Sequence, residues 1–433
     1  MKNIYNNIIR RILIGALSLS MLVSVTSCTP SSENTLSTDS GTSPSTTEAP
    51  AQDTAKTEIT TDVTTDPPKE DDGIISVIAA GDNLVHEAVY TFAETLAERE
   101  NGKYGDYYFV PMYDGVKEVV QSADLAMINQ ESQICTSPFE ASGYPRFITP
   151  PAMGDAVMDA GFNVIITANN HMLDNGDKAL LNTVEYWKDK PVITVGTDTS
   201  EKESDDIAVF EKNGFKIAIL AYTDVINHCY DLDDVKKASE YAKYTYYNSD
   251  TAKKQLEKAN EIADFVIVSM HWGEEDEFEP DSSQRKIAKD LSKWGADAII
   301  GHHPHVVQPI EWIETDGRKT LCVYSLGNFV STMLYARNMV GMMVSFDIVT
   351  NDGEPYIANV KAIPTVTNYV DHPTKDDLKY RQDVYVCLLE DYTEEKASNH
   401  GCNSNESKDV TLDTLKSYIT DNVAKEFLPE WFK

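Results

Sequence analysis

Basic residues are scarce in this chain of 433 residues: 37 Lys and Arg stand against 70 Asp and Glu, a formal charge of −33. A surface so acidic does not bind nucleic acid nonspecifically and does not adsorb to anionic lipid through charge. No nucleic-acid partner is expected, and a polyanion would be repelled except where cations intervene. Cysteine is scarce too, with six residues at 28, 135, 229, 322, 387 and 402. Their spacing is neither a zinc pattern nor a small disulfide framework. Cys322 and Cys387 fall in strand-like runs, where a free thiol behaves as a small hydrophobe. There is no GxxxxGK[ST] phosphate loop, so ATP-driven polymerisation must belong to other proteins. Internal repeats are absent as well.

The apolar stretch 12–25 is too short to cross a bilayer comfortably. Preceded by Lys2, Arg10 and Arg11, it fits the core of a signal peptide. It runs into Val25, Thr26, Ser27 and Cys28, which resembles a lipobox, the pattern at which bacterial lipoproteins are cleaved and diacylated on the new terminal cysteine. Residues 1–27 are therefore expected to be a leader and Cys28 the lipid attachment site, anchoring the protein outside the cytoplasm on the bacterial membrane. Residues 29–72 hold 18 Ser or Thr, ten acidic residues, two lysines and no aromatic. Such a segment buries too little apolar surface to offset chain entropy, so residues 28–72 are expected to be a tether. As a flexible coil it would reach roughly 35 to 40 Å on average.

Chemistry concentrates after the tether. Residues 301–309, GHHPHVVQP, put three of the nine histidines into four positions directly after the apolar run 298–300. Imidazole is the commonest protein metal ligand, and alternate residues on extended backbone aim two rings at one ion, here His303 and His305. Four more apolar runs end the same way. Residues 75–80 lead to Gly81, Asp82 and Asn83, with His86 shortly after. Residues 124–128 lead to Asn129, Gln130 and Glu131. Residues 163–168 lead to Asn169, Asn170, His171 and Asp174. Residues 265–270 lead to His271, Trp272 and Gly273. Runs of this kind indicate strands covered on both faces, and open α/β sheets bind ligands beyond the carboxyl ends of such strands.

These blocks resemble the CapA family, the bacterial poly-γ-glutamate capsule synthesis proteins, whose domain is similar to calcineurin-like metallophosphatases. The resemblance is carried by GDN at 81–83, NQE at 129–131, AGFNVIITANNHMLDNG at 160–176, HWG at 271–273, GHHPHVVQPIE at 301–311 and YSLGNFV at 324–330. It implies an α/β fold, an αββα sandwich of the metallophosphatase type with a C-terminal extension. It also implies one or two divalent metal ions (Mn, Fe or Zn) surrounded by Asp82, Glu131, Asn170, His271, His303 and His305, with His171 as acid or transition-state stabiliser. Two ions about 3.5 to 4 Å apart need a bridging carboxylate and a ring of N and O donors, for which Asp82 or Glu131 is suited. His171 is placed to aim its ring at a leaving group as general acid, its tautomer fixed by Asp174. The chain departs from the wider phosphatase pattern in two places: Leu84 stands where a histidine is usual, and Gln130–Glu131 where a GD pair is common.

Arg146, Trp272 and Asn328 are the candidate substrate-binding or supporting residues, with Arg285 a second guanidinium near the site blocks. Gln308, Glu311 and the acidic run 274–279 are expected to be solvated, and His86 to lie on the surface at a helix start. Residues 192–196 and 216–222 should add strands, and residues 251–263 and 283–294 amphipathic helices ahead of strands. The catalytic-type domain is expected over 73–335. Residues 336–433 should complete the sandwich, with strands at 342–348 and 357–363 in its second sheet, a polar loop at 391–408 and a final helix at 413–427. Three functions fit: a membrane-anchored metal-dependent hydrolase of a phosphoester-like bond acting in capsule biosynthesis, a noncatalytic polymer-binding or export subunit working with poly-γ-glutamate synthase subunits, and a γ-glutamyl amide hydrolase.

Overall fold

The structure, a computed structural model, describes residues 73–227, 241–349, 355–375, 377–404 and 410–432. The leader, Cys28, the tether and Cys229 lie outside the described residues. In chain order the strands are β1 (Ile74–Asn83), β2 (Leu125–Gln130), β3 (Gln133–Ile134), β4 (Ile148–Thr149), β5 (Val164–Ile166), β6 (Ile193–Val195), β7 (Ala208–Lys212), β8 (Phe215–Thr223), β9 (Phe265–His271), β10 (Ala298–His302), β11 (Ile310–Thr315), β12 (Arg318–Val323), β13 (Asn328–Val330), β14 (Val340–Val349), β15 (Tyr356–Val370) and β16 (Gln382–Leu388).

The strands form two large sheets. One runs β16-β15-β14-β1-β2-β5-β6, with β13 also paired to β1; the other runs β11-β12-β10-β9-β8-β7. Parallel strands run from β1 through β2 and β5 to the edge strand β6 in the first sheet, and β8, β9, β10 and β12 form the parallel centre of the second. The second sheet divides its side chains by alternation. Ile217, Ile219, Ile267, Ala298, Ile300, Leu321 and Val323 join the core shared with the first sheet. Ala218, Leu220, Val266, Val268, Met270, Ile299 and Cys322 pack instead with Ala252, Leu256, Ile287, Ala288 and Leu291 of helices Ser249–Ile262 and Ser282–Trp294. The period of two along each strand thus produces a layer with one face to a sheet and one to helices. β1 and β2 are buried along nearly their whole length, and helices Glu87–Arg99 and Ala152–Ala160 contribute Val89, Phe92, Met153 and Val157 to the same core. The expected α/β sandwich, helices outside two facing sheets, is what the chain adopts.

Local signals explain the helices on the second sheet. Asp281 accepts from the Gln284 backbone N–H while the Gln284 side chain accepts from Asp281, a reciprocal cap, and Gly295 ends the helix at φ 113°. Asn248 caps the other by accepting from Asp250 and Thr251.

The C-terminal strands do not enter the second sheet as expected. β14 runs antiparallel to β1, pairing Ile74 with Val349 through Ala79 with Val344, and β15 and β16 follow it outward. Alternation marks a strand but carries no information about which distant edge it joins. Residues 391–408 contain a short helix, Glu394–Asn399, capped by Thr393. The final helix is shorter than expected, Leu412–Thr420, because Asn422 donates back to the Tyr418 carbonyl and the chain turns. The four described cysteines, Cys135, Cys322, Cys387 and Cys402, are free and buried.

Candidate metal centre

Register places the donors. On the first sheet Asp82 stands between Asn129 of β2 and Asn328 of β13; on the second His271 stands between Thr223 of β8 and His302 of β10. The carboxyl ends of the parallel strands of both sheets open on one edge of the sandwich, and Glu131, Asn170 and His171 follow β2 and β5 at that edge. Close backbone approach holds it together: Asp82 N donates to Gly327 O at 2.9 Å, and His303 N donates to Asp82 Oδ2 at 3.2 Å across the sheets.

Glu131 is the hub. Its Oε1 lies 3.6 Å from His271 Nε2, 3.7 Å from His305 Nε2 and 4.0 Å from His171 Nε2. Three sets of donors have all their ligand atoms within 4.8 Å of one another: Asp82, Glu131 and His305; Glu131, His271 and His303; and Glu275, His303 and His305. Asn170 Oδ1 sits 3.0 Å from His271 Nε2, aimed at the same space. Both Glu131 oxygens are buried without a hydrogen-bond partner, as is Nδ1 of His303. Buried carboxylates are normally paired or metal-bound because desolvating the anion is costly, so this donor set fits a divalent cation, and hard oxygen with imidazole nitrogen suits zinc, manganese or iron.

Electrostatics follow from that crowding. Burial pushes the Glu131 carboxyl well above its usual range. Burial alone would raise Asp82 as well, but hydrogen bonds and positive charge from His302 and His305 outweigh it and hold Asp82 well below. His303 is pushed down to about 3 by burial and then by His305, and His271 is lowered by burial and by His303. His305 goes the other way: burial would lower it, yet the charge of Glu131 and the hydrogen bond to Asp82 raise it to about 10.

The supporting contacts orient the rings. Asn328 Oδ1 lies 3.0 Å from His305 Nδ1, and its amide donates to Asn338 O, leaving Nε2 of His305 toward Glu131. Asp174 Oδ2 lies 2.7 Å from His171 Nδ1 and also accepts from Phe147 N, so Nε2 of His171 faces the centre. Asn129 donates to Asp82 Oδ1 at 2.8 Å.

All six proposed ligands, Asp82, Glu131, Asn170, His271, His303 and His305, come together here with His171 and Asp174, but by a different backbone than expected. His303 and His305 do not alternate on extended chain; both have positive φ, 99° and 56°, because the chain turns back at the end of β10. His302 is buried too, with Nδ1 3.2 Å from Asp82 Oδ1. Of the substrate candidates, Asn328 is buried behind His305 rather than facing a ligand. Trp272 is fully buried, its indole donating to Tyr324 O, which leaves no ring face for substrate. Arg146 stands on the exposed loop ahead of Phe147, outside the buried cluster. Arg285 is engaged by Glu311 at 3.1 Å, and Gln308 is buried between Gln284 and the Glu277 carbonyl. His86 starts a helix as expected but is half-buried, not solvent-facing. It precedes helix Glu87–Arg99, edges onto Phe147 at 5.3 Å, and burial pushes it down to about 3.

Two residues escaped the sequence reading. Asn227, beyond β8, accepts from Asn170 Nδ2 at 3.3 Å and lies 3.1 Å from His171 Nδ1; its signal was a sixth polar strand end, AYTDVIN. Glu275 was hidden in an acidic run that reads as surface.

A buried cluster of histidines and carboxylates at the strand ends of an α/β sandwich defines a candidate metal-centre protein. Residues 76–333 match the family Bacterial capsule synthesis protein PGA_cap, and the chain belongs to that family. It is 34% identical over 200 residues, 45% of this chain and 46% of the other, to Capsule biosynthesis protein CapA of Bacillus anthracis. It is 32% identical over 194 residues to PGA biosynthesis protein CapA of Bacillus subtilis (strain 168), covering 45% of this chain and 49% of that one. The chain thus spans about half the length of these curated relatives. Among solved structures, a hypothetical protein from Thermus thermophilus aligns with TM-score 0.40 and 13% identity over 67% of this chain and 98% of that one.

Proposed function

We propose that this protein is an extracytoplasmic, lipid-anchored component of capsule biosynthesis that acts on an envelope polymer, of the poly-γ-glutamate type named for its relative, through metal-dependent hydrolysis of a phosphoester-like bond. The observation that carries the reading is the unpartnered, buried Glu131 carboxylate ringed by imidazoles. Asp82, Glu131, His271, His303 and His305 would between them hold one cation or two, with Asn170 adding an amide oxygen. A divalent ion there supplies Lewis-acid polarisation of the scissile group's oxygen. The protein's own part is proton handling and orientation. His171, its Nδ1 held by Asp174, presents Nε2 for delivery of a proton to the leaving oxygen, while the Phe147 ring, 4.7 Å away and perpendicular, walls the imidazole on one side. The anchor reading rests on Cys28 and the leader sequence. No described helix is long and apolar enough to cross a membrane.

Elemental analysis of the purified protein, beside His271→Ala and His305→Ala, tests the reading. One or two equivalents of metal in the wild type, reduced in both variants, together with turnover of phosphodiesters, supports it. Cleavage of γ-glutamyl amides in place of phosphodiesters would change the substrate class while keeping the centre. A wild type that takes up no manganese, iron or zinc would leave a noncatalytic polymer-binding or export subunit, working with the synthase subunits, as the better account.

A further inference from the structure

The acidic run after β9 exposes its glutamates, as expected, but its backbone and Asp276 are tied down. Gly273 turns the chain at φ 89°. Asp276 N donates to Pro304 O at 2.9 Å, and the Asp276 carboxylate accepts from Arg337 Nε at 3.0 Å and from Asn338 Nδ2 at 2.8 Å. The same Asn338 amide lies 3.3 Å from His305 O, and Gln308 Nε2 donates to Glu277 O at 2.8 Å. Glu275 sits inside this clamp, itself exposed, with its carboxylate beside the buried rings of His303 and His305. His303 Nδ1 has no partner of its own.

We infer that the centre has an outer divalent-cation position, closed by Glu275 with His303 and His305, beside the buried position on Glu131. The inference rests on the metal-centre reading above and goes further by giving the two positions different access. Two imidazoles and one carboxylate make a three-ligand set, and such sets keep coordination positions open for water or an incoming ligand. Because one ligand is an exposed side chain, the outer cation exchanges with the medium, whereas a cation on Asp82 and Glu131 is enclosed. The open face is where an anionic group, a phosphate or carboxylate, would meet the cation in a protein whose net charge otherwise repels it.

Manganese titration of the full-length protein followed by electron paramagnetic resonance, with equilibrium dialysis for stoichiometry, tests this directly. Wild type should show two classes of site. Glu275→Gln and Glu275→Ala should weaken the outer class tenfold or more and leave the inner class and the metal-free melting temperature unchanged. Glu279→Gln, an exposed acidic residue of the same run, should behave as wild type. If Glu275→Ala binds both classes as tightly as wild type, or if wild type has a single class, the outer position is wrong while the Glu131 centre stands. No manganese binding at all would overturn both.

Discussion

Glu131 is a liability without a cation and an asset with one. Its two oxygens are buried without a hydrogen bond, and burial raises its carboxyl well above the usual range. Replacing it with neutral Gln should therefore leave the metal-free melting temperature unchanged or raised. The wild type alone should then gain stability from metal, by about 2.7 kcal/mol when the free ion is at 100 times its Kd. Thermal denaturation with and without zinc or manganese reads both arms; equal metal-induced gains in the two proteins would remove Glu131 from the ligands. His171 is predicted to behave differently. His171→Ala should keep its metal and lose roughly 10²- to 10⁴-fold in turnover, and a variant with normal turnover would refute the proton-donor role. Asn328→Leu should weaken metal binding about 10- to 100-fold, since Asn328 is the oxygen that holds His305 Nδ1. At this scale the sequence was informative about residue type and poor about orientation. Asn328 and Trp272 were visible as candidates within the motifs, but whether a side chain faces a ligand or the core depends on register with neighbours far away in the chain.

At the scale of elements, the centre exists because, within each sheet, the chain beside a strand end approaches more closely than a side chain permits. A Cβ on Gly81 of β1 would fall 1.9 Å from Gly327 O, and one on Gly301 of β10 would fall 1.9 Å from Tyr324 O. In both cases the obstacle is backbone, which has little room to yield. Gly301→Ala should cost about 1 to 3 kcal/mol or more and should also lower metal affinity, because β10 leads directly into His302, His303 and His305. Chemical denaturation beside metal titration checks it, and an alanine variant with wild-type stability would show that the strand ends have slack. The strands themselves were legible, since the apolar runs at 75–80, 265–270 and 298–300 coincide with β1, β9 and β10 to within a few residues. The turn after β10 was not legible: reading 301–309 as extended chain missed the positive φ of His303 and His305, which bring all three histidines inward.

For the whole molecule, pH dependence offers a probe away from the centre. His400 is buried at the end of helix Glu394–Asn399, with Nε2 3.0 Å from Thr367 O and Nδ1 accepting from Cys402 N at 3.1 Å. Burial pushes it down to about 4, and protonation would cancel the acceptor that Cys402 uses. The folded value lies below the unfolded value of 6.5, so His400 imposes no penalty above that pH. As pH falls from 6.5 toward 4 the unfolded chain takes up a proton that the folded chain refuses. Stability then drops by about 3 kcal/mol in all, since a tenfold change in proton concentration is worth about 1.4 kcal/mol. His400→Gln should lose stability at neutral pH yet show a shallower decline over the same acid range. Parallel stability curves for the two proteins would show that His400 is not the group responsible.

Composition and local pattern determined the acidic surface, the buried character of the strands and the α/β class, because periodicity and residue chemistry are local properties; the resemblance of the strand-end motifs to a known family supplied nearly every donor in the centre. Only the tertiary structure decided which donors share a cation and which merely support them. Only it placed the C-terminal strands beside β1, and only it drew Glu275 out of an acidic run and set it against His303 and His305. Those outcomes depend on pairings between segments tens to hundreds of residues apart, and on backbone turns that no local pattern encodes.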